Sequence, residues 1–377
     1  MGKHLVLVGG GHAHLTTLSK TADFVKRGHG LTLVSPSAYH YYSGMGPGLL
    51  AGTYEPRDTR FHIRRMVQER GGAFVQDRVA GIDAARRLLK LHSGNEIAYD
   101  VVSFNIGSGI RLPADTEEGP WLVPVKPIEN LYHAREAIRA RRARPLRLVV
   151  IGGGAAGVEI AGNLWHLARS CEARADIVLV AGGGLLDGWP IRAQDLARRS
   201  LTQRGIHLRE GERALAFRAG QVKLESGAHL SCDLCFLASG VAPPPLFRQA
   251  GLADPEDGGL LVNDCLQSIA DPRIFGGGDC ISLAGARLPR VGVHAVRQNP
   301  VLRRNLLAAL EERPLHSFRP RKNFLLILNL GDETGIARRG AFSGGGSGLL
   351  HLKHWIDRRF MHRFQVSGEA KDLRPGI

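Results

Sequence analysis

The chain has 377 residues, of which 44% are hydrophobic and 23% charged, and its formal net charge at pH 7 is +15. This composition is typical of a globular protein with room for two or three domains. No run of residues approaches the ~20 apolar residues of a membrane-spanning helix, which excludes that class of membrane protein. Because a predicted strand begins almost at the first residue, we expect no signal peptide and a cytoplasmic location.

The first predicted element is the apolar strand Leu5–Val8, which runs into the glycine-rich turn Gly9–Ala13 and then a helix-compatible stretch. This order is the context of a dinucleotide-binding site. Gly9 permits the tight turn out of the strand. Gly11 leaves space where a pyrophosphate approaches the backbone and the start of the helix. One such turn is weak evidence, because glycine turns follow strands in many α/β proteins.

A second turn of the same kind follows the apolar strand Leu148–Ile151, with glycines at 152, 153, 154 and 157. Two dinucleotide turns predict two bound nucleotides. Two nucleotides held close together usually indicate that electrons pass between them.

An internal repeat supports this interpretation. Five residues recur at a constant offset of 133 positions, namely Leu91, Ser93, Gly94, Asp100 and Gly107 as Leu224, Ser226, Gly227, Asp233 and Gly240. Each copy therefore contains a strand, a glycine turn, a helix, a small β-ribbon and a closing strand. Five matches at one offset are unlikely to arise by chance.

A third element is the short predicted strand from Arg273 that ends in Gly278-Asp279. In flavoproteins with two dinucleotide sites, an Asp at this place accepts hydrogen bonds from the ribityl hydroxyls of FAD. The alternative is that Asp279 only caps a helix, which Asp often does. With two dinucleotide turns upstream, we favour the flavin role.

With these motifs the sequence resembles the FAD-dependent pyridine-nucleotide oxidoreductases, on the branch of the type II NADH dehydrogenases and sulfide:quinone oxidoreductases. Three further segments (42–48, 288–298 and 352–361) are most similar to the flavoprotein module fused ahead of selenophosphate synthase. The resemblance covers nearly the whole chain. It implies an α/β fold of two Rossmann-like three-layer domains, the second inserted in the first, followed by a C-terminal α+β segment.

The resemblance also implies where the cofactors bind. It places FAD at Gly9, Gly10, Gly11, His12, Ala13, Ser35, Val79, Gly107, Asp279 and Gly292. It places NADH or NADPH at Gly152, Gly154, Gly157 and Glu159. The helix that begins near Gly292 is expected to point its N-terminus at the flavin. Tyr41, Tyr42, Met45 and His294 are candidate wall residues near the flavin, or equally core residues; the chemistry itself is carried by the flavin.

Several residues depart from the family pattern. His14 replaces the third glycine of the first turn, which either alters helix–strand packing or places an imidazole near the phosphates. Ser35 stands where an acid usually binds the adenosine ribose, and Ala181 stands there in the second unit, with no adjacent Arg for NADPH. The nicotinamide nucleotide is thus less well specified than the flavin. Glu159 near the nicotinamide has an alternative interpretation as an ordinary surface residue in a helix first turn.

The predicted organisation is an FAD domain from 1–110 and 255–319, an NAD(P)H domain from 111–254, and a C-terminal segment from 320–377. An odd count of five cysteines disfavours a disulfide framework. We expect Cys232 and Cys235 to be structural, because neighbours three apart in an extended segment point to opposite faces. No metal site is predicted.

A predicted flexible loop, 343–348, precedes a basic amphipathic helix over about 349–364. Leu349, Leu352, Ile356 and Phe360 recur at helical spacing, and Lys353 and three arginines take the remaining positions. This helix either docks on its own domain with a solvated face, or lies on an anionic membrane surface. Nucleic-acid binding is not expected, since the basic residues are scattered.

The function we expect is electron transfer from NAD(P)H through FAD to a second acceptor, possible acceptors including a quinone. Two alternatives remain open. One is a flavoprotein partner of selenium metabolism, associated with a selenophosphate synthase. The other is a flavin-binding protein without NAD(P)H turnover.

Overall fold

The computed structural model describes residues 2–113, 115–321 and 323–369. The strands of these ranges, in chain order, are β1 (His4–Val8), β2 (Gly30–Ser35), β3 (His40–Tyr41), β4 (Arg60–Phe61), β5 (Ala73–Gln76), β6 (Val79–Asp83), β7 (Leu88–Leu91), β8 (Glu96–Ala98), β9 (Val101–Phe104), β10 (Gly109–Ile110), β11 (Leu122–Pro124), β12 (Leu146–Ile151), β13 (Ala175–Ala181), β14 (His207–Glu210), β15 (Ala214–Arg218), β16 (Gln221–Leu224), β17 (His229–Ser231), β18 (Leu234–Leu237), β19 (Val241–Ala242), β20 (Leu260–Val262), β21 (Ile274–Gly276), β22 (Ile281–Leu283), β23 (Leu325–Asn329), β24 (Gly335–Arg339) and β25 (Phe342–Gly346).

The helices of the same ranges are α1 (Leu15–Ser19), α2 (Thr21–Val25), α3 (Gly46–Ala51), α4 (Pro56–Thr59), α5 (Ile63–Gln68), α6 (Glu129–Ala140), α7 (Ala155–Ser170), α8 (Ile191–Gln203), α9 (Leu246–Gln249), α10 (Gly292–Leu310) and α11 (Ser347–Phe364). None of them is both long and apolar enough to cross a membrane.

Two five-stranded parallel sheets form the centres of the two nucleotide domains. The first has the strand order β21-β9-β1-β2-β5 and the second the order β11-β18-β12-β13-β14. The central strands β1 and β12 are nearly all apolar and buried, as expected for parallel strands covered on both faces. The first sheet takes strands from both sides of the second in the sequence. The predicted fold class, with one domain inserted in the other, is confirmed.

The internal repeat is visible in atomic detail. Each domain carries a three-stranded antiparallel ribbon, β6–β8 in the first and β15–β17 in the second. Asp100 Oδ2 accepts a hydrogen bond from the backbone of His4 at 2.7 Å, and Asp233 Oδ2 accepts one from Arg147 at 2.8 Å. The duplicated residues therefore hold the same place against the first strand of each unit. The exact domain boundaries stay a prediction.

The C-terminal segment is the antiparallel sheet β23-β24-β25 followed by α11. The glycine-rich run predicted as a flexible loop is instead strand β25, and α11 begins at Ser347. Glycine serves packing here, because a Cβ on Gly345 would lie 3.1 Å from Leu196 of α8. The sheet packs on α7 and α8 of the second domain, while α11 also contacts α1 and β4 of the first. Residues 370–377 of the predicted segment lie outside the described residues.

The cysteines form no disulfide within the described residues, but Cys232 and Cys235 are not arranged as predicted. All five are free. Cys232 and Cys235 do not point to opposite faces as predicted, because the two thiols are near enough to shift each other's pKa, lowering that of Cys232 and raising that of Cys235. The chain bends at Asp233, between β17 and β18, so the segment is not continuously extended. Both residues are buried in one apolar cluster, and their structural role stays a prediction.

Candidate functional site

The first glycine turn is tightly packed against the end of β9. Gly9 has φ +82°, and a Cβ on it would lie 2.5 Å from the carbonyl oxygen of Asn105. A Cβ on Gly11 would lie 2.2 Å from Asn105 Oδ1, and one on Gly10 would lie 2.5 Å from Ile63. A side chain at Gly9 or Gly11 would therefore displace the backbone of the turn. The backbone of these glycines lies close to the end of β9 and carries no side chain, as a pyrophosphate site requires.

Asn105 joins the first glycine turn to the loop of Asp279, and it was not predicted from the sequence. Its Oδ1 accepts from the backbone N–H of Ala13 at 2.9 Å, and its Nδ2 donates to the carbonyl oxygen of Gly277 at 2.5 Å. One buried amide thus ties the glycine turn to the loop that carries Asp279. A polar residue directly after the buried strand β9 was the signal that could have found it.

His14 is a packing residue. Its Nδ1 lies 2.7 Å from the carbonyl oxygen of Gly9, and its Nε2 lies 2.8 Å from the hydroxyl of Ser103. Burial lowers the pKa of His14 to about 4, so the ring is neutral. Of the two alternatives raised by the sequence, the structure supports altered helix–strand packing.

His12 has a different environment. Its ring lies among the rings of His40, Tyr42 and Phe360, and its Nδ1 is 3.2 Å from His40 Nε2. Burial, and then the nearby charge of Lys126, lowers the pKa of His12 to about 4. Its Nε2 is buried and has no hydrogen-bond partner among the described residues. Such an atom is costly unless something else satisfies it.

Asp279 lies in a 3₁₀ turn, Gly278–Cys280, and does not cap a helix. Its Oδ2 accepts from Lys126 Nζ at 2.7 Å and from Ser108 Oγ at 3.2 Å. Lys126 was not predicted as a site residue, because it lies 153 positions from Asp279 in the sequence, just after strand β11 of the second sheet. The ion pair joins the loop of Asp279 to the start of the second domain.

A cavity of about 620 Å³ opens beside Asp279. Arg290, His294 and Gln298 line it, and Gly292 begins α10 at its edge without a side-chain cap. Gln298 Oε1 accepts from the backbone of Gly278 at 2.6 Å. Both ring nitrogens of His294 are buried and lack a hydrogen-bond partner within the described ranges, and burial lowers the pKa of this residue.

The other residues predicted to bind the first nucleotide include Ser35, Val79 and Gly107. Ser35 is buried at the carboxyl end of β2, and Val79 is the first residue of β6. Gly107 has φ +70° and open space where a side chain would be.

Side chains of helix α11 form a polar network with residues 42–44. Tyr42 Oη donates to Asp357 Oδ1 at 3.1 Å, and Lys353 Nζ lies 2.8 Å from Asp357 Oδ2. Lys353 Nζ also donates to the carbonyl oxygen of Gly44 at 2.7 Å. Burial, followed by the charge of Asp357, raises the pKa of Tyr42. Asp357 was not predicted as a site residue, although its spacing of four residues from Lys353 on a helix is typical of an ion pair.

The orientation of α11 differs from the prediction. Lys353 faces inward, with its side chain only 12% exposed, whereas Leu352, Trp355 and Ile356 are 39%, 59% and 37% exposed. The side of α11 bearing Lys353 and Asp357 faces the protein because it completes the buried network with Tyr42. Part of the predicted apolar face is left on the surface.

Glu159 is not a surface residue of a helix first turn. It lies in the second turn of α7 and is half-buried, and its Oε1 accepts from the backbone of Asn329 at 2.8 Å. Burial raises its pKa to about 7, with Lys353 acting in the opposite direction. The carboxyl group therefore lies in the electrostatic field of the network on α11.

The second glycine turn repeats the first with a difference. Gly152 has φ +125°, and a Cβ on Gly157 would lie 1.7 Å from the carbonyl oxygen of Gly152. No atom lies within 4 Å of the place that a Cβ on Gly154 would take. Helix α7 thus starts against its strand with an open approach to its N-terminus, which fits a second pyrophosphate.

The comparison with protein families decides the identity of this arrangement. The model of the family described as pyridine nucleotide-disulphide oxidoreductase matches residues 3–299. The chain belongs to this family. It is therefore an oxidoreductase, and its cofactors are FAD and NAD(P)H. The glycine turns, the orphaned Nε2 of His12 and the cavity beside Asp279 fit these groups. Within the described ranges, no cluster of His, Cys, Asp or Glu could hold a metal ion.

Individual relatives of this oxidoreductase are identical to it at about a quarter of the aligned positions. Ferroptosis suppressor protein 1 of Taeniopygia guttata is 25% identical over 71% of this chain and 72% of its own. Demethylphylloquinone reductase NdbB of Synechocystis is 25% identical over 83% of this chain and 78% of its own.

Solved structures show the same fold. NDH2 of Plasmodium falciparum, in complex with NADH, superposes with a TM-score of 0.79 at 14% identity and covers 98% of both chains. Sulfide:quinone oxidoreductase of Aquifex aeolicus gives 0.78 at 17% identity and covers 97% of this chain and 92% of its own.

Proposed function

We propose that this oxidoreductase passes electrons from NAD(P)H to a quinone. Relatives named demethylphylloquinone reductase and type II NADH:quinone oxidoreductase support this acceptor. The chemistry that FAD supplies when bound is two-electron transfer between NAD(P)H and the acceptor. We assign FAD to the first glycine turn, with Asp279 and Gly292 beside it, and NAD(P)H to the second, with Glu159 near its nicotinamide end.

The observation that carries the proposal is the network of Tyr42, Asp357 and Lys353 with Glu159 nearby. A quinone takes up two protons with its two electrons, so its site needs proton donors that are held away from bulk water. Glu159, with a pKa of about 7, is close to half-protonated at neutral pH. Tyr42 keeps its proton and donates it in a hydrogen bond to Asp357. His294, on the cavity side, is a second candidate wall residue.

The exposed face of α11 supports a lipid-soluble acceptor. Leu352, Trp355 and Ile356 lie on the surface, and the guanidinium of Arg359 lies 5.6 Å from the ring of Trp355. Apolar residues with Trp and basic neighbours are typical of helices that lie in an anionic membrane interface. We propose that α11 contacts a membrane peripherally and that quinone reaches the network from that side.

Anaerobic stopped-flow mixing tests the relay. FAD-loaded protein is first mixed with NADPH or NADH and then with a short-chain quinone. We expect the flavin absorbance to bleach and then to return within the turnover time. Reduced flavin that persists in the presence of quinone would rule out the acceptor and leave only the reductive half-reaction.

The selenium alternative has no support from the site or from the relatives, and it stays a prediction of the sequence alone. A flavoprotein without turnover is less well supported, because the family is one of oxidoreductases. The first mixing step tests it directly, since an unreactive yellow protein is what that alternative expects.

A further inference from the structure

The end of strand β13 decides how the adenosine half of NAD(P)H is bound. In dinucleotide folds an acid at this place binds the ribose hydroxyls of NADH, while a nearby Arg donates hydrogen bonds to the 2′-phosphate of NADPH. Here the strand ends at the buried Ala181, and Gly182, Gly183 and Gly184 follow. The loop itself offers neither group at the expected position.

The neighbouring strand supplies an Arg. Strands β13 and β14 are parallel, and Ala181 is in register with Glu210, so their carboxyl ends lie side by side. After β14 the chain continues to Arg213, whose side chain lies against the glycine loop at Gly182. A Cβ on Gly182 would lie 2.8 Å from Arg213 Cγ and 3.7 Å from its Nε. Glycine at 182 therefore leaves the space that the stem of Arg213 occupies.

The charge of Arg213 is available to a ligand. Its side chain is exposed and has no ion pair among the described residues. The carboxylate of Glu210 is already bound, because it accepts from Arg198 Nε at 2.9 Å, from Arg198 Nη2 at 3.0 Å and from the backbone of Leu185 at 3.0 Å. Three of the about four acceptor sites of this carboxylate are therefore already used within the protein, and its charge is paired with Arg198.

We propose that Arg213 binds the 2′-phosphate of NADPH and that this oxidoreductase therefore prefers NADPH to NADH. The inference rests on the proposed NAD(P)H site and names its reductant. Two carboxylates flank the loop. Asp187 Oδ2 lies 3.6 Å from the place of a Cβ on Gly183, and Glu212 Oε2 is buried without a partner in the described ranges. Neither forms an ion pair with Arg213, so the guanidinium remains the cation that a phosphate would meet.

Calorimetric titration of the FAD-loaded protein isolates this contact from electron transfer. The probes are adenosine 2′,5′-bisphosphate and 5′-AMP, which differ only by the 2′-phosphate. We expect the bisphosphate to bind about 10- to 100-fold more tightly, as one charge-assisted phosphate contact would give. R213A should abolish the difference, and R213K should keep part of it, because Lys retains the charge without the planar fork.

R209A is the matched control, since Arg209 is an exposed Arg on β14 itself. It should leave the ratio of the two Kd values, 5′-AMP over adenosine 2′,5′-bisphosphate, unchanged. D187N should raise this ratio by removing a negative charge from the loop. Equal binding of the two probes to the wild type, or a tighter Kd for NADH than for NADPH, would overturn the inference. Failure of the quinone step with an intact NADPH preference would overturn the proposed acceptor and leave this inference standing.

Discussion

His14 Nδ1 lies 2.7 Å from the carbonyl oxygen of Gly9, five residues before it. In the second turn the same interval joins Gly157 and Gly152, where even a Cβ would lie 1.7 Å from the carbonyl oxygen. The two copies therefore make the same helix–strand contact by different means. One removes the side chain, and the other uses an imidazole that hydrogen-bonds through both nitrogens.

Replacing His14 by Ala should destabilise the first domain. The change leaves the carbonyl oxygen of Gly9 and the hydroxyl of Ser103 without a partner in a buried site, which costs about 2–4 kcal/mol. We expect Tm to fall by about 4–12 °C in scanning calorimetry of the FAD-loaded protein. H229A, at an exposed His on β17, should leave Tm unchanged. An equal Tm for H14A and the wild type would show that the ring is not needed for packing.

Glu159 should make stability depend on pH in a defined direction. Burial raises its pKa to about 7, above the ordinary value of 4.5. Between these two values the folded protein keeps a proton that the unfolded chain has released. The contribution of Glu159 to the free energy of unfolding therefore falls as pH rises through this window and is fully lost above it.

E159Q should remove that part of the pH dependence. Urea unfolding of the wild type and of E159Q at pH 5 and pH 7.5 measures it, with E225Q on an exposed loop as the control. Relative to the wild type, the free energy of unfolding of E159Q should be higher at pH 7.5 than at pH 5. If the two pH profiles run parallel, Glu159 is already ionised in the folded protein.

The ion pair of Lys353 and Asp357 should show strong coupling. The two side chains are 12% and 5% exposed, so removing either one leaves a nearly buried charge without its partner. K353M alone is expected to destabilise by about 3 kcal/mol, and K353M with D357N by clearly less than the sum of the single changes. Denaturant unfolding of the wild type, K353M, D357N and the double variant completes this double-mutant cycle. R358A, on the exposed side of α11, is the control. Additive effects would mean that the two charges do not depend on each other.

The exposed face of α11 should govern vesicle binding without governing stability. W355S together with I356S removes surface apolar area only, so Tm should stay within about 1 °C of the wild type. Flotation with vesicles of anionic phospholipid should show at least a several-fold loss of bound protein. Leu215, an exposed apolar residue of β15 in the second domain, provides the control L215S. Unchanged flotation of the double variant would place the membrane contact elsewhere or exclude it.

Features encoded by neighbouring residues could be predicted from the sequence. The glycine turns and the strand before Asp279 are each complete within a short window, and the repeat at an offset of 133 residues compares two such windows; all are present. The tail helix was also predictable, because its apolar spacing is local. Its orientation was not, because that depends on Tyr42, which is 315 positions from Asp357.

The contacts that complete the site come from distant parts of the chain. Asn105 bonds Ala13 across 92 positions, and Lys126 bonds Asp279 across 153. Arg213 reaches Gly182 because two parallel strands end side by side. Arg213 is not adjacent to Ala181 in the sequence, so the local pattern gave no indication of it. The chain topology brings these residues together, and their spacing in the sequence does not indicate the contact.

Strand β21 has a consequence for how the protein is made. It pairs with β9 in the first sheet, yet roughly 170 residues, including the whole second sheet, are translated between them. At about 5–20 residues per second, the ribosome needs about 10–30 s to deliver that partner. During this interval the nascent chain carries β9 with one unpaired edge. The later domain can fold first, and chaperone contacts should concentrate on β9 until β21 emerges.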